Sequence, residues 1–140
     1  MKLVFEIEPV EQARPRATRM GRGIRLYDLE KVSVYKKQLA MMCKFQYKEE
    51  PLDGPLRVEI GFYRHVQSSI SKKERELRLS GSHRPVVKPD TDNYIKSTLD
   101  GLNGLLWEDD NQIVDLIAHK YYSDNPRVEI EVTQLNELHN

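Results

Sequence analysis

One cysteine, four histidines and one tryptophan are all that 140 residues contain of these types, and no apolar run approaches the ~20 residues of a membrane span. The lone Cys43 has no partner for an internal disulfide, and its apolar, helix-like surroundings suit a packing thiol better than a nucleophile. With an N-terminus that reads as an amphipathic strand and not as a signal peptide, the expectation is a cytoplasmic protein with no membrane association. His65, His83, His119 and His139 show no metal-ligand spacing. No glycine-rich loop of the P-loop or dinucleotide type occurs, so no nucleotide cofactor is expected. Internal repeats and low-complexity segments are missing as well, which leaves one domain over residues 1–140, long enough to bury a core without staples.

What the chain does have is charge sorted by position. Its 22 Lys and Arg balance 22 Asp and Glu, yet residues 1–89 hold 19 basic against 11 acidic side chains (+8), and residues 90–140 hold 3 against 11 (−8). A cationic half that holds a polyanion beside an anionic half that holds cations would look like this; so would an internally compensated, solvated surface.

Leu3, Phe5 and Ile7 alternate with charged residues over Lys2–Glu8, predicting a half-buried strand that Pro9 ends. Gln12–Tyr27 carries five Arg, no acid, and Gly and Pro that oppose regular structure, so it reads as a basic loop. Arg14, Arg16 and Arg19, and after them Arg22 and Arg25, would grip phosphates through their guanidinium forks, although a merely solvated loop accounts for them equally well. Asp28 is the expected N-cap of a helix to about Lys48, with Val32, Tyr35, Leu39, Met42 and Cys43 on its buried side. Pro51–Pro55 is turn chemistry, and Leu56–Arg64 is a second alternating strand. Periodicity then fades from His65 to Val87, except for a short charged helix capped by Ser71 and closed near Gly81. Lys72 and Lys73 at its start oppose the helix macrodipole, which suits phosphate contact, although a merely solvated face accounts for them as well. Gln112–Tyr122 is apolar on both sides, predicting a central strand, and a turn at Ser123–Pro126 predicts an antiparallel hairpin with Arg127–Thr133.

The chemistry concentrates between Lys88 and Asp115. Asp90 and Asp92 open a helix whose apolar side is Ile95, Leu99 and Leu102, while Asp92, Lys96, Asp100 and Asn103 share a polar stripe. Gly104 is the expected C-terminal stop, after which Leu105–Trp107 returns the chain to Glu108, Asp109 and Asp110. Either acidic cluster alone could be a helix cap or an acidic turn. Together, three or more carboxylates meeting at one point would repel one another without a cation, and a hard cation such as Mg²⁺ takes oxygen ligands of this kind. A calcium-binding EF-hand does not fit, because Tyr94 and Ile95 stand where that loop needs a ligand and a Gly.

Lys-Pro-Asp-x-Asp-Asn-x-x-Lys-x-x-x-Asp-x-Leu-Asn-Gly from Lys88, followed by Trp-x-Asp-Asp-x-Gln-Ile from Trp107, resembles the RusA family of Holliday-junction resolvases, largely phage or prophage encoded. Arg14-Pro15-Arg16, Ser71-Lys72-Lys73 and the terminal Tyr-Ser-x-x-Pro-Arg-Val-Glu-Ile extend the similarity over most of the chain; Gln12-Ala13 departs from the Lys or Gly of many relatives. The resemblance implies a homodimeric, Mg²⁺-dependent endodeoxyribonuclease, with Mn²⁺ able to substitute, that makes paired nicks in four-way junction DNA during recombination and repair. It implies that Asp90, Asp92 and Asp110 are the metal-binding catalytic carboxylates and Lys96 the lysine of the site, with Asp100 and Asp109 as outer ligands or structural residues. Arg14, Arg16, Arg19, Lys72, Lys73 and Lys88 are then the DNA contacts. A broader branched-DNA or flap nuclease, a non-catalytic DNA-structure-binding protein and a protein-interaction module with an acidic cleft are the alternatives. For architecture, the patterns predict one α/β (α+β, two-layer) domain: a mixed sheet of about four strands with two main helices packed on one side.

Overall fold

Leu56, Val58, Ile60 and Phe62 are fully buried in the computed structural model, whereas Arg57 and Glu59 between them are exposed; this period of two builds the sheet. The structure describes residues 1–13 and 22–135, and the side chains of all of these except 22–28. Arg14, Arg16 and Arg19 therefore lie outside the described residues.

Along the chain come β1 (Lys2–Phe5), α1 (Arg22–Gln46), β2 (Leu56–His65), α2 (Lys72–Leu79), α3 (Thr91–Leu102), a 3₁₀ turn at Asp110–Gln112, β3 (Ile113–Ser123) and β4 (Arg127–Gln134). The strands form one mixed sheet in the order β1-β4-β2-β3. Strand β2 runs antiparallel to β4, with Ile60 opposite Ile130, and parallel to β3, with Ile60 opposite Ala118. The expected two-layer α+β domain is thus present. Buried Tyr35, Leu39 and Cys43 of α1 and Leu99 and Leu102 of α3 pack with Leu3, Phe5, Val128, Ile130 and Val132 in one core, leaving the other face of the sheet to charged and aromatic side chains. Burial raises the pKa of the Cys43 thiol, which makes it the inert packing group expected. Among the described residues, no helix is long and apolar enough to cross a membrane.

Three expectations change. Helix α1 begins at Arg22, so the last residues of the expected basic loop are helical; once a helix is nucleated each further residue adds a hydrogen bond, and a single Gly23 costs only about 1 kcal/mol. Strand β3 is an edge strand, not a central one: Val114, Leu116 and Ile117 are 60%, 41% and 44% exposed. Nor do β3 and β4 form a hairpin. Residues 124–126 carry the chain past the end of β2, so β2 lies between them. The physical reason is that β2 returns to the sheet through α2 and α3, a crossover long enough for parallel pairing, and β3 takes one side of β2 while β4 takes the other.

Helix α2 is the excursion expected of it. Ser71 Oγ accepts from Glu74 N–H at 3.1 Å, the helix buries no residue, and it is tied to β3 by Arg78, whose guanidinium lies 4.5 Å from the Tyr122 ring centre.

Candidate active site

Helix α3 exists because Asp90 supplies an extended N-cap residue and the buried side chains Tyr94, Ser97, Thr98, Leu99, Gly101 and Leu102 recur on one flank. That flank is fixed firmly. Tyr35 and Thr98 hydroxyls share a buried hydrogen bond of 2.8 Å, Ser97 Oγ donates to the Val10 carbonyl at 2.6 Å, and Tyr94 stacks on Phe62 at 5.1 Å. At Gly101 a Cβ would meet the Lys36 backbone and Leu39 side chain of α1 at 3.3 Å, so glycine permits the close helix approach. Asn103 ends the helix and Gly104 follows at φ +79, the left-handed stop expected there.

The opposite flank exposes Asp92, Lys96, Asp100 and Asn103, the predicted polar stripe. Asp90 makes no side-chain capping bond, so its carboxylate is not consumed by the helix end. At the far end Asn103 Oδ1 accepts from Asp110 N–H at 2.9 Å and aims the return loop back at the stripe. Partial burial, then a hydrogen bond with Asp109, then the charges of Asp109 and Asp100 raise the pKa of the half-buried Asp110 carboxyl. Asp109 shapes the loop itself. Its Oδ1 accepts from Asn111 N–H at 3.1 Å, and Gln112 Oε1 accepts from Asp109 N–H at 3.0 Å, a capping box for the 3₁₀ turn. Asp100 is bridged to Lys36 of α1 at 3.3 Å.

The structure therefore brings Asp110, Asp109 and Asp100 into one electrostatic neighbourhood, and Asp90 and Asp92 into another at the start of the same helix. Asp92 and Asp100 are two turns apart, roughly 12 Å along the axis, with Lys96 between. Among the described residues, no three His, Cys, Asp or Glu side chains could hold a metal ion together. A hard cation such as Mg²⁺ is commonly held by one or two carboxylates, with water and phosphate oxygens completing its shell. All-oxygen donors and the like-charge strain at Asp110 fit such an ion; a closed three-carboxylate cage is not preformed.

Sequence patterns pointed to neither Arg64 nor Lys120. Lys120 Nζ donates to the Pro89 carbonyl at 2.9 Å and the Val87 carbonyl at 3.1 Å, and Arg64 Nη1 donates to the Lys88 carbonyl at 3.0 Å, so two strands grip the segment that delivers Asp90. Burial and the Arg64 charge lower the Lys120 pKa, and the Asp90 charge opposes them. One signal did exist in the sequence: Lys120 is one of only three cations after residue 89. Of the expected DNA contacts, Lys72, Lys73 and Lys88 are exposed, the first two at the start of α2 and the third beside Asp90. The histidines within the described residues pair with carboxylates, His65 with Glu8, His83 with Glu74 and His119 with Glu59.

Residues 6–133 match the family described as Endodeoxyribonuclease RusA, and the chain belongs to that family. Membership implies nuclease chemistry on DNA. An uncharacterised protein of Bacillus subtilis (strain 168), YqaN, is 37% identical over 131 residues, 92% of either chain. The crossover junction endodeoxyribonuclease rusA of Lactococcus phage r1t is 27% identical over 140 residues, covering 96% of this chain and all of the phage protein.

Proposed function

We propose that this protein is a Mg²⁺-dependent, homodimeric endonuclease that resolves four-way DNA junctions by paired nicks in recombination and repair, acting in the cytoplasm. The observation that carries this reading is the family match across residues 6–133, because it contains both acidic ends of α3. The name of the phage relative supports the junction as substrate.

Asp90 and Asp92 would hold an ion at the start of α3 and Asp110 would offer its carboxylate at the loop beyond the helix end, Mn²⁺ serving in place of Mg²⁺. When bound, it would supply Lewis acidity toward the scissile phosphate and lower the pKa of a water. Lys96, exposed on the stripe between the acidic ends, would offset charge developing on the phosphate oxygens. Asp100 and Asp109 support the site, Asp100 through Lys36 and Asp109 through the 3₁₀ turn. Arg14, Arg16, Arg19, Lys72, Lys73 and Lys88 would hold backbone phosphates on either side of the cut, contacts that position DNA without reading sequence. A two-fold dimer suits a substrate with two equivalent strands to nick. The uncovered Val114, Leu116 and Ile117 on β3 support an interface between copies.

Asp92→Asn is the direct test. It should lower Mg²⁺-dependent junction cleavage by at least about 10³-fold, the scale on which loss of preorganised transition-state stabilisation is felt, while junction binding survives. Cleavage at the wild-type rate would remove Asp92 from the site.

A further inference from the structure

Asp90 is delivered by a strap of six residues, Arg84 to Pro89, that crosses the edge of the sheet at β3. The strap belongs to no helix or strand; four of its six residues are exposed, Pro85 is buried and Pro89 half-buried. Val87 and Lys88 have little packing to hold them, yet the three consecutive carbonyls of Val87 to Pro89 are captured. Lys120 Nζ takes Val87 O at 3.1 Å and Pro89 O at 2.9 Å, and Arg64 Nη1 takes Lys88 O at 3.0 Å. The start of the strap is tied to the same residue, since Arg84 Nε donates to the Lys120 carbonyl at 3.1 Å. Lys120 thus binds the strap at both ends, once through its backbone and twice through its side chain.

The strand register explains how two cations arrive together. Lys120 stands opposite Phe62 and Tyr122 opposite Arg64, so Lys120 and Arg64 project from neighbouring strands on the face that carries the helices. Arg64 is steadied by the Tyr122 ring, 5.8 Å from its guanidinium carbon. An ammonium has three donors, enough for both carbonyls with one to spare.

We infer that Lys120, with Arg64 as its partner, is a positioning residue for the catalytic carboxylate Asp90, acting by clamping the backbone of the strap and not by contact with DNA. This rests on the nuclease reading above. Carboxylate placement matters steeply, because a shift of about 1 Å can cost on the order of 10²-fold in rate. The role needs two donors at one point; Arg can supply them and Met, of similar length, cannot.

The test uses the full chain with Lys120→Met, Lys120→Arg and Arg64→Met. Single-turnover cleavage of a synthetic four-way junction in Mg²⁺ is measured beside junction affinity in Ca²⁺, melting temperature, and hydrogen exchange without metal at the amides of Asn93 and Tyr94, which donate to the Asp90 carbonyl at 3.1 and 3.3 Å. Lys120→Met should cut at least about 30-fold more slowly and bind within threefold of wild type. The Asn93 and Tyr94 amides should exchange at least tenfold faster while those of β2 and β4 are unchanged. Lys120→Arg should recover most of the rate, and Arg64→Met should show the Met pattern in milder form. Wild-type exchange at Asn93 and Tyr94, or a cleavage rate within twofold of wild type, would overturn the positioning role alone. Rate and affinity falling together without rescue by Arg would also overturn it, making Lys120 a DNA contact. A wild type that cuts no branched DNA would instead overturn the nuclease reading, and the positioning role with it.

Discussion

Asp110 is held where its charge is opposed: partial burial, Asp109 and Asp100 all favour its neutral form. Its folded-state pKa lies above the unfolded one, so the folded state binds the proton more tightly. The stability this lends is fully present below the unfolded pKa near 3.8 and is lost as pH rises through the folded value. Once ionised, the carboxylate is opposed by Asp109 and Asp100. Asp110→Asn should therefore melt higher, not lower, than wild type in chelator at pH 7, and should lose both cleavage and the rise in melting temperature on adding Mg²⁺; calorimetry with and without Mg²⁺ checks both. A lower melting temperature in chelator would mean that Asp110 is a stabilising group. The roles of neighbouring residues were legible in the sequence to different degrees. The exposed stripe followed from helical spacing, whereas the duties of Asp109 and Lys120 follow from loop backbones that spacing does not describe.

Gly101 shows the same divide for an element. As a helix residue it is a weak choice, and only the approach of α3 to Lys36 and Leu39 of α1 explains it. Gly101→Leu should push the helices apart and destabilise the fold by about 1–3 kcal/mol, an overpacking cost, with cleavage abolished because α3 carries Asp92 and sets the place of the loop that holds Asp110. Gly101→Ala should stay within about 1 kcal/mol of wild type, its better helix propensity offsetting a tight fit. Urea titrations of the two variants would decide. The faces of α1, α3, β2 and β4 were readable because burial on one side imposes a period, and the buried Leu39, Leu99, Phe62 and Ile130 stand where those periods put them. The place of β3 was not readable. Apolar residues on both sides of a strand show that both sides can be covered, but not whether the cover comes from this chain or another.

At the scale of the molecule, the exposed Val114, Leu116 and Ile117 and the sorted charges acquire a common meaning. If β3 joins two copies, Ile117→Lys should shift the protein from dimer to monomer in sedimentation and turn paired nicks into single ones, with little change in melting of the monomer because Ile117 is already 44% exposed. A variant that stays dimeric would place the interface elsewhere. Alanine at Arg14 and Arg16 should weaken junction binding and reduce the slope of log affinity against log salt by about 2, roughly one for each phosphate no longer neutralised; an unchanged slope would remove these arginines from the interface.

The most direct measurement compares Mg²⁺-dependent cleavage of synthetic four-way, three-way, flap and linear duplex DNA by the purified wild type and Asp92→Asn. The expected result is a pair of nicks on opposed strands of the four-way junction, dependent on Mg²⁺ or Mn²⁺, much faster than cutting of the other substrates and absent in Asp92→Asn. Equal cutting of flaps and three-way forks would contradict junction resolution, and the absence of Mg²⁺-dependent cutting of any substrate would contradict the nuclease itself.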